Sequence, residues 1–113
     1  MNLITREEVK EKLDRGDEFK LVMVMDESAF RAMHIPGSIN IYTTDVTNGE
    51  LDTRDEIIVY CNGFSCPASI AAYQRLEAAG YKKVRRFAGG IPDWEEAHYP
   101  LEGNRVLGTP ASE

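Results

Sequence analysis

Apolar positions along the chain alternate between two patterns, short nearly continuous runs and runs with helical spacing. Thr5 and Glu8 form a capping box ahead of Val9 and Leu13, which share one face while Glu7, Lys10, Glu11 and Lys12 lie largely outside it. This predicts a helix over about residues 6–15, closed by Gly16. Phe19 to Met25 is almost wholly apolar, as suits a central strand covered on both faces. Glu27 to Met33 reads as a short helix with Ala29, Phe30 and Met33 inward, and the acids Asp26 and Glu27 suit its start. A turn follows at 34–37, then a short strand at 38–41 and a surface loop over 42–55. Glu56 to Tyr60 is a second buried strand, ending at Cys61. Pro67 opens a helix carrying Ala72, Leu76 and Ala79, and Gly80 stops it. Lys83 to Phe87 is a last strand, followed by Gly89-Gly90 and a short helix over 91–97 with Trp94. Alternating strands and helices predict an α/β layer architecture around a mostly parallel sheet.

The 113 residues suit one domain, and a 42% apolar content is ordinary for a globular chain. Residues 1–103 are expected to form that domain, with 104–113 a polar, flexible tail. Apolar runs of five or six residues fall far short of the roughly 20 that cross a membrane, so no membrane partner is expected. The first residues lack a basic segment followed by an apolar one, so no secretory signal is expected. A net charge of −6 argues against nucleic acid as a partner. The chain is expected to be a monomer or weak dimer.

Two cysteines, Cys61 and Cys66, are too few for a disulfide scaffold. Neither His34 nor His98 stands at a ligand spacing from them, so no metal site is expected. A cytoplasmic, reducing setting and thiol chemistry are the expectation. Ligands of open parallel sheets bind beyond the carboxyl ends of strands, which is where Cys61 falls. The loop behind it feeds a helix N-terminus, where free amides and the helix dipole depress a cysteine pKa. Curled around the sulfur, the amides of Asn62, Gly63, Phe64, Ser65 and Cys66 would form an anion-binding nest. Such a nest would hold the outer sulfur of a persulfide without a cationic side chain. The competing reading makes Cys61 a small hydrophobe that ends a buried strand.

Leu21-Val22-Met23-Val24-Met25-Asp26, His34-Ile35-Pro36-Gly37-Ser38-Ile39-Asn40-Ile41, Ile58-Val59-Tyr60-Cys61, Ala78-Ala79-Gly80-Tyr81, Gly89-Gly90-Ile91-Pro92-Asp93-Trp94 and Tyr99-Pro100-Leu101 occur in that order. Over nearly its whole length the chain resembles the rhodanese, or sulfurtransferase, domain family. The resemblance implies a three-layer α/β/α sandwich with a mainly parallel five-stranded sheet. It also implies a catalytic cysteine, here Cys61, that takes sulfane sulfur from a donor such as thiosulfate or a persulfide and passes it to a thiol or cyanide. No organic cofactor is implied.

Two departures from the family pattern matter. Where members often carry Val-Asp-Val-Arg, this chain has Val22-Met23-Val24-Met25, read as a structural swap because methionine fills irregular cores. Many active members place an arginine or lysine five residues after the cysteine, where this chain has Cys66. No basic residue lies between Cys61 and Ile70, which weakens the case for the thiosulfate dianion as preferred donor. Arg85 and Arg86, just before Gly89-Gly90 and one on each side of their strand, either reach toward the pocket or, as is the expectation, are solvated surface charges. Three readings of Cys66 stand open. It packs beside the helix start, or resolves a Cys61 persulfide or sulfenate into a disulfide, or binds metal. The resemblance thus yields a sulfurtransferase acting on small-molecule or protein persulfide donors and thiol acceptors. Its rivals are a thiol–disulfide redox protein using Cys61 and Cys66, and a non-catalytic module that binds a protein partner.

Overall fold

The computed structural model describes residues 1–63 and 66–105. Four parallel strands, β1 (Lys20–Met23), β2 (Ile39–Asn40), β3 (Ile57–Tyr60) and β4 (Val84–Phe87), lie in the order β2-β1-β3-β4. Leu21 faces Ile58 across β1 and β3, and Val59 faces Arg86 across β3 and β4. The sequence resemblance implied five strands, whereas the described residues form four. At the fifth position, outside β4, the N-terminal segment makes a single parallel bridge between Leu3 and Arg86. The amide of Arg86 donates to the Asn2 carbonyl at 2.8 Å and that of Ile4 to the Arg86 carbonyl at 3.1 Å. The capping box at Thr5 then turns the chain into α1 (Arg6–Arg15), so pairing stops after one bridge.

The strands are apolar on both faces because each face carries its own layer. Leu21, Met23, Ile58, Tyr60 and Phe87 pack with Val9 of α1, with α2 (Glu27–Ala32), and with Ile91 and Trp94 of α4 (Gly90–Glu96). Val22, Val24, Ile57, Val59, Cys61 and Val84 pack with Ala72, Tyr73 and Leu76 of α3 (Pro67–Ala78). The period of two along each strand separates these sets, giving the expected α/β/α sandwich. The 42–55 segment is less of a surface loop than its composition predicts. Thr43–Asp45 form a 3₁₀ turn, and Val46 and Leu51 are buried against the α3 layer.

Gly16 ends α1 in the left-handed conformation, φ 73°, as the sequence predicts. Trp94 is fully buried, edge-on to Phe87 and Tyr99, with its indole N–H donating to the Pro100 carbonyl at 2.8 Å. Of the expected tail, Asn104 and Arg105 donate backbone amides to the carbonyls of Arg31 and Ala32. The remainder of that tail, 106–113, lies outside the described residues. Among the described residues no helix is long and apolar enough to cross a membrane.

Candidate active site

With all strands parallel, their carboxyl ends gather at one edge of the sheet, and Met25, Cys61 and Gly89-Gly90 follow three of them. Cys61 comes directly after β3, whose end is fixed by a closed ring of hydrogen bonds. The Tyr60 hydroxyl donates to Ser38 Oγ at 2.8 Å, Ser38 Oγ–H donates to the Ile35 carbonyl at 2.6 Å, and the Ile35 amide donates to the Tyr60 oxygen at 3.0 Å. Burial pushes the Tyr60 hydroxyl pKa up to about 12, partly opposed by these bonds.

Cys61 and Cys66 are joined as a disulfide, with Cα atoms 6.6 Å apart. That separation lies inside the range of about 4.4–6.8 Å that a disulfide spans. Cys61 is 1% exposed within the α3-side core, as the competing reading of a small hydrophobe ending a buried strand expects, and in this oxidised form its sulfur is bonded rather than a free thiolate. Cys66 is half-buried at the N-cap of α3, and its Sγ lies 3.8 Å from Met25 Sδ. The methionine read as a core filler therefore also covers the sulfur site. The Asn40 side-chain amide holds it there by donating to the Met23 carbonyl at 3.1 Å and the Met25 carbonyl at 2.8 Å.

The proposed amide nest takes a different form at Cys66, whose N–H donates to the Gly63 carbonyl at 3.2 Å. Cys61 Sγ lies 3.9 Å from the Cys66 carbonyl oxygen. Asn62 is exposed, and Gly63 is half-buried at φ 151°, a backbone region that favours glycine. Phe64 and Ser65, the other two expected nest residues, lie outside the described residues.

Three further contacts shape the site. The Ile91 amide donates to the Cys61 carbonyl at 3.1 Å, and Gly90 sits so close that an added Cβ would lie 2.1 Å from that oxygen. Thr43 Oγ1–H stands 3.1 Å from the Val24 carbonyl and 2.9 Å from the Ala68 carbonyl, linking the first turn of α3 to the strand edge. Arg86 corrects the expectation of a solvated surface charge. It is 6% exposed on the α3 side of the sheet, and its Nε–H donates to Ser69 Oγ at 2.8 Å. Burial holds its pKa below the usual arginine value. Its neighbour Arg85 is the half-exposed one, 3.4 Å from Glu56. Strand alternation, with Val59, Cys61, Val84 and Arg86 on one face, was the signal that placed Arg86 inside.

A family model described as rhodanese-like domain matches residues 5–97. Thiosulfate sulfurtransferase 18 of Arabidopsis thaliana is 32% identical over 108 residues, covering 83% of this chain and 78% of that protein. An HTH-type transcriptional regulator of Mycobacterium tuberculosis is 32% identical over 107 residues, covering 93% of this chain and 46% of the regulator. The chain thus spans about half of that relative's length. The solution structure of the rhodanese-like domain from an Anabaena protein superposes with a TM-score of 0.84 at 25% identity, covering 97% of this chain and 85% of that one.

Proposed function

The chain belongs to the rhodanese-like domain family, and from that premise we propose that it is a sulfurtransferase whose Cys61 carries sulfane sulfur as a persulfide. The observation that carries this reading is the sulfur bonded to Cys61. Cys61 Sγ, at the carboxyl end of β3, already carries one bonded sulfur in the folded domain, which supports a sulfur-carrying role. Reduction of the Cys61–Cys66 disulfide frees both thiols.

Reduced Cys61 attacks the outer sulfur of its donor. With thiosulfate, the sulfur–sulfur bond breaks toward sulfite, and Cys61 keeps the sulfane sulfur with its negative charge on the outer atom. A thiolate acceptor or cyanide then attacks that atom, and the electron pair of the broken bond returns to Cys61. Two local fields favour the anionic states. The N-terminus of α3 carries Pro67 at its first position, has no acidic residue in its first turn, and gains no side-chain capping bond from Cys66 among the described residues. Arg86 adds a buried positive charge on the same face of the sheet.

A small-molecule or protein persulfide fits as donor better than thiosulfate, because no basic side chain stands between Cys61 and Ile70 to meet a dianion. The test is transfer of sulfane sulfur to cyanide by the reduced Cys66→Ser protein, with Cys61→Ser as control. Thiocyanate formation that depends on Cys61 is the expected result, and equal turnover by Cys61→Ser overturns the assignment.

A further inference from the structure

We propose that Cys66 discharges the Cys61 persulfide within the same chain, releasing hydrosulfide and leaving the Cys61–Cys66 disulfide. The domain would then reduce sulfane sulfur at the expense of a dithiol. This rests on the reading that Cys61 accepts sulfane sulfur.

Geometry selects this step over the alternatives. The Cα atoms, 6.6 Å apart, already stand at a disulfide separation, and the two sulfurs are bonded in the folded domain. The sulfur that Cys66 reaches is Cys61 Sγ, the inner sulfur of a persulfide. Attack on the outer sulfur would merely move the sulfane atom onto Cys66, whereas attack on the inner one expels it. A nucleophile five residues away on the same chain needs no encounter, an advantage that reaches many orders of magnitude in well-aligned intramolecular reactions. The leaving group is suitable as well. Hydrogen sulfide is a stronger acid than an alkyl thiol, and in thiol–disulfide exchange the weaker base departs faster.

The step balances without an added oxidant. Cys66–SH and the anionic Cys61 persulfide give the Cys61–Cys66 disulfide and HS⁻. The Cys66 proton passes to the departing sulfur, the Cys61–outer sulfur bond breaks, and the Cys61–Cys66 bond forms. The sulfane sulfur gains two electrons, and the two cysteine sulfurs supply them. A second turnover requires an external dithiol, which takes the disulfide back to two thiols and itself becomes a disulfide. The oxidised form of this domain is then the product of each half-cycle.

The experiment loads fully reduced, desalted protein anaerobically with one equivalent of glutathione persulfide and follows hydrosulfide by bimane trapping and the protein by intact mass. Wild type is expected to release about one hydrosulfide per chain and to end two hydrogens lighter, with dithiothreitol restoring the cycle. Cys66→Ser, and independently Cys66→Ala, are expected to keep the added sulfur and to release hydrosulfide about tenfold more slowly or less. Wild type that holds its persulfide as long as Cys66→Ser overturns this inference and leaves the sulfurtransferase reading standing. Failure of wild type and both Cys66 variants to take up sulfur or release hydrosulfide overturns that reading, and this inference with it.

Discussion

The amide of Ile91 donates to the carbonyl of Cys61 at 3.1 Å, so the end of β3 and the first turn of α4 are held as one unit. Gly90 makes that contact possible. It sits at φ 59°, and a Cβ there would lie 2.1 Å from the Cys61 oxygen and 2.8 Å from the Gly63 nitrogen. The Gly-Gly pair ahead of Trp94 is therefore a part of the Cys61 site as well as a helix start. Gly90→Ala is expected to destabilise the reduced protein by about 2 kcal/mol or more, from left-handed strain and displacement of the loop. That corresponds to a fall in Tm of roughly 10 °C for a domain of this size. Thermal unfolding followed by circular dichroism checks it, and an unchanged Tm would mean the loop yields freely.

Tyr60 gives a pH dependence of definite sign. Its folded pKa is raised to about 12 by burial, above the ordinary phenol value of about 10. The folded state therefore resists ionisation more than the unfolded chain does. The stability held by the neutral hydroxyl is complete below pH 10 and drains away as pH rises from about 10 to about 12. Tyr60→Phe is expected to lose about 1–3 kcal/mol near neutral pH, since it leaves the Ile35 amide without its acceptor. The gap between wild type and variant in urea unfolding should then narrow across that alkaline window. A constant gap would show that Tyr60 does not titrate with unfolding.

Arg86 is expected to set the acidity of the reduced Cys61 thiol. In a Cys66→Ser background, Arg86→Met should raise the Cys61 pKa by about one unit, read from the pH profile of iodoacetamide alkylation. An unmoved profile would leave α3 and the loop amides as the whole of the field at Cys61.

Donor choice follows from the missing loop cation. Reduced protein is expected to use glutathione persulfide with a kcat/KM about tenfold above that for thiosulfate, in keeping with the roughly 1.4 kcal/mol that one charge-assisted contact supplies. Cys66→Arg places a cation where many family members have one, and should raise thiosulfate use by a similar factor. Equal use of the two donors by wild type would remove the argument from loop charge.

Much of this was legible in the residues, because the deciding physics is local. Thr5, Glu8 and Gly16 bound α1, and Pro67 opens α3, each through a preference that acts within one turn. The apolar runs at Leu21–Val24 and Ile57–Tyr60 marked strands covered on two faces. What stayed hidden depends on separations in space. Met25 meets Cys66 across 41 positions and Thr43 meets Ala68 across 25, and neither residue type announces such a contact. Arg86 runs against the general exposure of arginine, and only its strand alternation points it inward. The pairing of Cys61 with Cys66 depends likewise on a separation in space, the 6.6 Å between their Cα atoms.

Cyanide discharge of sulfur-loaded Cys66→Ser protein reads the sulfur that Cys61 carries, since that variant cannot close the disulfide. After loading with glutathione persulfide and removal of excess reagent, one added sulfur is expected on the peptide that carries Cys61. Cyanide should convert it to about one thiocyanate per chain and restore the original mass. Sulfur found on any other residue, or a loaded mass that never appears, would contradict the assignment of Cys61 as the sulfur carrier.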